Sequence, residues 1–293
     1  MNHLRRKNKV AIFVAAILLW SLASSHFTVF AYTKALPGDS IPEFTSLDAA
    51  SDYVYQQLLH QEETIKLTVI TPHPNGKTVW QKIKKGAFAD DADATALFGD
   101  YVRYNLYHHG KMSYAYYFSN GNYHYTFHLG MVYRTTLRQE RQFSSKLSNV
   151  VDGLNLANKS DYRKVKAIYD YICQTVAYDD VHSSAYKRKY TAYAALINKR
   201  AVCQGYANLF YRMCKAANVP VRIVSGTSQK QKHSWNIVAI DGKYYNVDAT
   251  WDAGKRKYAY FLKSNRSFKD HKRNAEYLTP SFQRNHLMSK KNH

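Results

Sequence analysis

From Ser46 to about Gln61 the apolar residues Leu47, Ala50, Tyr53 with Val54, and Leu58 recur at helical spacing. That period lays one apolar stripe along an α-helix. The run TIKLTVIT (64–71) switches towards alternation and stops at Pro72, the pattern of a strand. ATALFGDYVRYNLYHH (94–109) predicts a second helix. Two tyrosine-rich runs, MSYAYYFS (112–119) and NYHYTFHL (122–129), flank Asn120-Gly121. Asn-Gly accepts the left-handed backbone of a two-residue hairpin turn, so the runs predict paired strands. A further helix is expected from Arg138 to Leu156. Helix, strand, helix, hairpin and helix together predict a small α+β domain over about 35–150.

A new helix opens at Ser160, with Val165, Ile168, Ile172 and Val176 as its buried stripe and Cys173 on the flank. After a polar loop, the stretch NKRAVCQGYANLFYRMC (198–214) starts another. Cys203, Ala207, Phe210, Cys214 and Ala217 fall on one apolar face, with Gln204, Asn208, Arg212 and Lys215 opposite. Cys203 therefore sits where the stripe meets the helix N-terminus. Unpaired backbone N–H groups and the helix dipole favour an anion there, and the same N–H groups suit an oxyanion on a bound carbonyl. Gly205 costs about 1 kcal/mol against alanine in a helix, so a close approach is expected at it, from a packed neighbour or from substrate.

Downstream, Asp241-Gly242 separates HSWNIVAI from KYYNVDAT, a second two-residue hairpin. With that loop, His233, Trp235 and Asp248 share one face, and His233 and Asp248 are diagonal neighbours about 7–8 Å apart along the backbone, within side-chain reach. A nucleophilic thiol needs a base, and the base needs an orienting group. Cys203, His233 and Asp248 are accordingly the candidate catalytic residues.

Composition narrows the setting. Arg5, Arg6, Lys7 and Lys9 precede an apolar run from Val10 to Ala23, and Val29-Phe30-Ala31 offers a cleavage site. Residues 1–31 are thus expected to be an export signal, with an uncleaved anchor over residues 10–31 as the alternative. Either way the remaining chain of about 260 residues is expected outside the membrane, secreted or at the cell surface. The net charge is +21, and +17 without those four cations, spread along the chain. Outside a membrane, that charge suits anionic cell-wall polymers or a membrane surface, with no nucleic acid expected as partner. Three cysteines are too few for a disulfide framework, although one bridge between Cys173 and Cys214 is conceivable. His124 and His128 share a strand face near His108 and His109, but no helical His-Glu-x-x-His and no acid cluster accompanies them, so no metal or other cofactor is expected.

AVCQGYANLF, HSWNIVAIDGKYYNVDATWD and YAYFL resemble the transglutaminase-like superfamily, in particular its secreted bacterial members, over about Tyr162 to Phe261. The resemblance implies an α+β, papain-like core over 151–285, with a cysteine-bearing helix packed on an antiparallel sheet. It implies Cys203 as nucleophile, His233 as base and Asp248 as orienting acid, acting on protein or peptide amides through a thioester. Hydrolysis and transamidation share that first half, and Lys230 and Lys232 ahead of His233 tilt the expectation towards hydrolysis. Tyr193 and the Cys203 N–H are candidate oxyanion donors. SFKDHKR (267–273) resembles a C-terminal element of such proteins, and His271 within it has no assigned role. The rival class is a non-catalytic surface-binding module that retains the three residues as a relic. A nucleic-acid-binding surface protein would rest on charge alone.

Overall fold

Ser46 accepts a hydrogen bond from the Ala49 N–H and so starts α1 (Leu47–Leu59), whose inner face buries Ala50, Val54 and Leu58. The computed structural model describes residues 40–88, 100, 105–108, 112–180 and 187–293. The leader expected at 1–31 and most of the helix expected at 94–109 lie outside the described residues. β1 (Glu43–Phe44) runs parallel to β2 (Thr64–Thr71). The next helix, α2 (Gly76–Ala87), was not expected, because its buried side chains Val79, Ile83 and Ala87 are diluted by Lys77, Lys82, Lys84 and Lys85.

Leu106–His108, expected to be helical, is instead a strand, β3. Pairing with β6 (Val132–Tyr133) overrides the local helical period. Between them lie β4 (Met112–Ser119) and β5 (Asn122–Gly130), joined through Asn120 and Gly121 at φ 51° and 75°. The sheet order is β1-β2-β5-β4, with α1 and α2 packed on it around Leu67, Val69 and Phe127.

Thr136 and Gln139 form a reciprocal capping box at the start of α3 (Leu137–Gly153). The helix serves a different core from the one its sequence position suggested: Phe143 and Leu147 pack with α4 (Asp161–Thr175) in the larger cluster. That cluster centres on α5 (Cys203–Ala216) and the sheet β11-β10-β9-β12. The strands are β9 (Val221–Ser228), β10 (Gln231–Ile240), β11 (Lys243–Val247) and β12 (His271–Arg273), all antiparallel to their neighbours. Their placement follows from α5, whose Ala207 and Phe210 meet Ile223 and Val238 in one apolar cluster. Asn236 reinforces the contact, donating from β10 to the carbonyls of Ala207 (3.0 Å) and Arg222 (3.2 Å). Arg222 in turn forks onto the buried carboxylate of Asp100 at 2.8 and 3.1 Å.

The face of α5 expected to be wet is largely covered. Asn208 is buried and donates to the Tyr190 carbonyl at 2.9 Å, and Arg212 reaches Glu140 at 3.3 Å. The covering segments, α3 and the chain around 187–201, come from elsewhere in the sequence, which the helical wheel alone cannot register. All three cysteines are free, so no bridge joins Cys173 to Cys214. Burial pushes both of those thiols above the ordinary cysteine range. Among the described residues no helix is long and apolar enough to cross a membrane.

Gly205 is explained by packing. A Cβ there would lie 2.6 Å from the Ala201 Cβ and 2.7 Å from the Lys189 carbonyl oxygen. Gly205→Ala gains about 1 kcal/mol of helix propensity but overpacks a rigid contact costing roughly 1–3 kcal/mol, so net destabilisation of up to about 2 kcal/mol is expected. Urea unfolding checks this, and a higher midpoint in the variant contradicts it.

Candidate active site

The chain reaches Cys203 through two tethers. β7 (Ala177–Tyr178) pairs in parallel with β8 (Arg200–Ala201), and the Val202 N–H donates to the Lys189 carbonyl at 3.0 Å. Val202 is extended and offers no side-chain cap to α5. Cys203 is therefore the first helical residue, half-buried, with its N–H beyond the reach of any intrahelical acceptor.

His233 and Asp248 arrive from the sheet. The turn at Asp241 and Gly242 sets the register Ile240↔Lys243 through Asn236↔Val247. The ladder ends there, and Asp248 turns away to cap a short helix, α6 (Ala249–Asp252). Its Oδ1 accepts the backbone N–H groups of Thr250 (2.9 Å) and Trp251 (3.4 Å). That leaves Oδ2 aimed at His233, whose Nε2–H donates to it at 2.6 Å. The other imidazole nitrogen is then the one left for the Cys203 thiol, whose proximity favours the protonated ring. Trp235 stacks on His233 at 6.0 Å between centroids, and Trp251 meets it edge-on at 5.9 Å.

Electrostatics follow from burial and partners. Burial alone would disfavour the His233 cation, but hydrogen bonds to Asp248 and Cys203 outweigh it and push the pKa up to about 10. Asp248 is 1 % exposed; burial would raise its pKa, yet hydrogen bonds from two histidines hold it below the usual carboxylate range.

The second of those histidines is His271. Its Nε2 lies 3.0 Å from the same Asp248 Oδ2, and its Nδ1 lies 2.8 Å from Asp270 Oδ1. Its motif stood out in the sequence, but nothing local tied it to the site. The link is tertiary: β12 pairs with β9, setting His271 against Ser228. Tyr193, by contrast, hydrogen-bonds Gln142 at 2.9 Å and does not line the cleft at Cys203, which removes it as an oxyanion donor.

Cys203 and His233 open onto a cleft of about 920 Å3. It is lined by Tyr178, Asp179, Asp180, Lys189, Tyr190 and Gln204, and by Thr227, Gln231, Lys232 and Asn274. Among the described residues, His233, Asp248 and His271 form the cluster whose metal-ligating atoms converge, all within 4.8 Å. A metal bonded to both N and O at about 2.0–2.1 Å in tetrahedral geometry would hold them more than about 3 Å apart. The 2.6 Å separation of His233 and Asp248 is that of a hydrogen bond. His124 and His128 join no such cluster among the described residues, and His109 lies outside them.

Residues 148–249 match the family model of the transglutaminase-like superfamily, a span that includes Cys203, His233 and Asp248. Kyphoscoliosis peptidase of Mus musculus is 31 % identical over 123 residues, covering 38 % of this chain and 19 % of its own length; that of Homo sapiens gives the same figures. The chain thus spans about a fifth of the length of these curated relatives. The crystal structure of a TGase matches 64 % of this chain and 52 % of its own at 14 % identity and a TM-score of 0.36. A candidate cysteine protease from Cytophaga hutchinsonii matches 50 % and 65 % at 18 % identity and a TM-score of 0.32. Both scores are below 0.5, so the assignment rests on the sequence matches. With its cysteine-bearing helix packed on an antiparallel sheet, the segment 148–249 belongs to the transglutaminase-like superfamily.

Proposed function

We propose that the protein is a thiol enzyme that cleaves peptide or glutamine amide bonds through a Cys203 thioester. The observation that carries this reading is the 2.6 Å bond from His233 to a wholly buried Asp248, beside a thiol at a helix N-terminus in an open cleft. The name peptidase on the curated relatives supports the same chemistry.

In the first step the Cys203 thiolate attacks the amide carbonyl and the imidazolium of His233 gives its proton to the departing amine. The carbonyl oxygen, negative in the intermediate, faces the helix start, where the Cys203 N–H is the candidate donor. Water then attacks the thioester, His233 takes its proton, and the thiolate leaves with the acid released. Asp248 holds the ring through Nε2 throughout and stabilises its charged form. The strongly basic chain suits an anionic surface such as cell-wall polymer or lipid headgroups, consistent with action outside the membrane.

Hydrolysis is favoured over transamidation by the charge around the cleft. Lys189 and Lys232 line it together with Asp179 and Asp180, and Asp180 is within 3.5 Å of Arg200. The formal charges offset one another and give an approaching lysine ammonium no net attraction, whereas water needs none.

His233 must be protonated to expel the amine. With its pKa raised to about 10, the cation is present below that pH and lost above it. The alkaline limb of the acylation rate is therefore expected near pH 10. Asp248→Asn removes a charge that raises this pKa, so its limb moves to lower pH and its rate falls. A limb at the same pH in the variant contradicts the role given to Asp248.

The acceptor is tested with a glutamine-containing protein and excess labelled primary amine. Cleavage or deamidation is expected to outpace label incorporation, and Cys203→Ala and His233→Ala are expected to abolish both while remaining folded. Incorporation faster than hydrolysis would overturn the choice of acceptor; turnover in either variant would overturn the mechanism.

A further inference from the structure

Asp248 Oδ2 accepts from two imidazoles, and only one belongs to the proposed reaction. The second, His271, has a side chain with no solvent exposure. It sits in an aromatic box: Phe268 lies 4.0 Å from its ring centroid, Trp235 5.0 Å and Trp251 5.4 Å. Within that box both ring nitrogens face carboxylate oxygens, Nε2 at 3.0 Å from Asp248 and Nδ1 at 2.8 Å from Asp270.

Ionised carboxylates only accept hydrogen bonds, so both contacts are satisfied together only when both nitrogens carry a proton. The arrangement is that of an imidazolium bridging two acids. Asp270 is fixed from its other side by the Tyr260 hydroxyl at 2.6 Å. The Tyr260 carbonyl in turn accepts the Asp248 N–H at 3.0 Å, which closes a ring of hydrogen bonds through Asp248, His271, Asp270 and Tyr260. Simple filling of the core would not need two carboxylates on one buried ring.

We propose that His271 is a positioning residue for the reacting pair: it fixes the Asp248 carboxylate and, by adding a positive charge beside it, moderates the pull of Asp248 on the His233 proton. The two imidazole centroids are 5.2 Å apart, close enough for one charge to act on the other. Among the described residues, Asp248 after β11 and Asp270 before β12 bond the pair, Cys203 from α5 acts on His233, and the Tyr260 ring lies 5.5 Å from that of His271. Arg273 on the same strand points elsewhere, to Asn246 at 2.7 Å. Burial opposes ionisation of Asp270, but bonds from Tyr260 and His271 hold its pKa low, in keeping with a cation between two carboxylates. The proposal rests on the thioester mechanism for its catalytic consequence, but not for its electrostatic one.

Two readouts separate these. The titration of the His233 ring, followed by NMR in the full chain, needs no turnover. In His271→Gln the amide still donates to Asp248 but brings no charge, so His233 is expected to titrate at higher pH than in wild type. Asp270→Asn, at an exposed position, removes the acid that holds the charge and is expected to shift His233 the same way. For turnover, His271→Ala is expected to lower kcat at least about tenfold with KM within about twofold, and His271→Gln to recover part of the loss. An unmoved or lowered His233 titration in both His271→Gln and Asp270→Asn overturns the proposal, as does wild-type kcat in a folded His271→Ala. If wild type itself shows no turnover while the titration shifts as expected, the functional reading fails and the electrostatic coupling stands.

Discussion

A carboxylate buried almost completely must be matched by donors, because an unpaired charge in the interior costs several kcal/mol. Asp248 meets that constraint with four donors drawn from three elements. The backbone of α6 supplies two N–H groups, β10 supplies His233, and β12 supplies His271. Each donor is also a constraint on where its element lies. The site is thus held by the need to satisfy one buried acid, and the chemistry proposed for Cys203 depends on the ring that this acid orients.

The rest of the larger core supports that arrangement. Asn236 fixes β10 to α5, so the histidine strand and the cysteine helix share one frame. The Tyr169 hydroxyl on α4 lies 2.8 Å from both the Asp248 carbonyl and the Asp252 carboxylate and shares its one proton between them, tying the acid's backbone to that helix. Gly226 pairs with both His233 and Arg273, and a Cβ at that position would overlap the Lys272 carbonyl. Glycine is what allows β12 to lie close enough to β9 to bring His271 to Asp248.

Much of this was legible locally. The Asp241-Gly242 turn sets the strand register as far as Asn236↔Val247 and so delivers Asp248 to the end of β11 beside β10, but the diagonal pairing expected of it gives way there to the cap of α6. Cys203 was expected at a helix start, and the helix does begin there. What local pattern could not reach was everything that depends on which segments meet. The polar face of α5 is covered because Tyr190 and Glu140 come to it from distant segments. Leu106–His108 is extended because β6 is there to pair with it. α2 escaped notice because its lysines mask a narrow apolar stripe. His271 stood in plain view as part of a motif, but 23 residues separate it from Asp248, and only the β9–β12 pairing closes that gap.

The claim that Cys203 is activated by His233 is tested most directly by the pH dependence of its alkylation with iodoacetamide, read cysteine by cysteine by mass spectrometry. Exposure alone would favour Cys203 over the buried Cys173 and Cys214, so the comparison that decides is with His233→Ala. The account predicts rapid modification of Cys203 well below pH 8 in wild type, slowed at least about tenfold in His233→Ala, with Cys173 and Cys214 unmodified in both. Equal rates at Cys203 in the two proteins, rising only as an ordinary thiol ionises, would contradict it and leave a surface module that carries three catalytic-looking residues without using them.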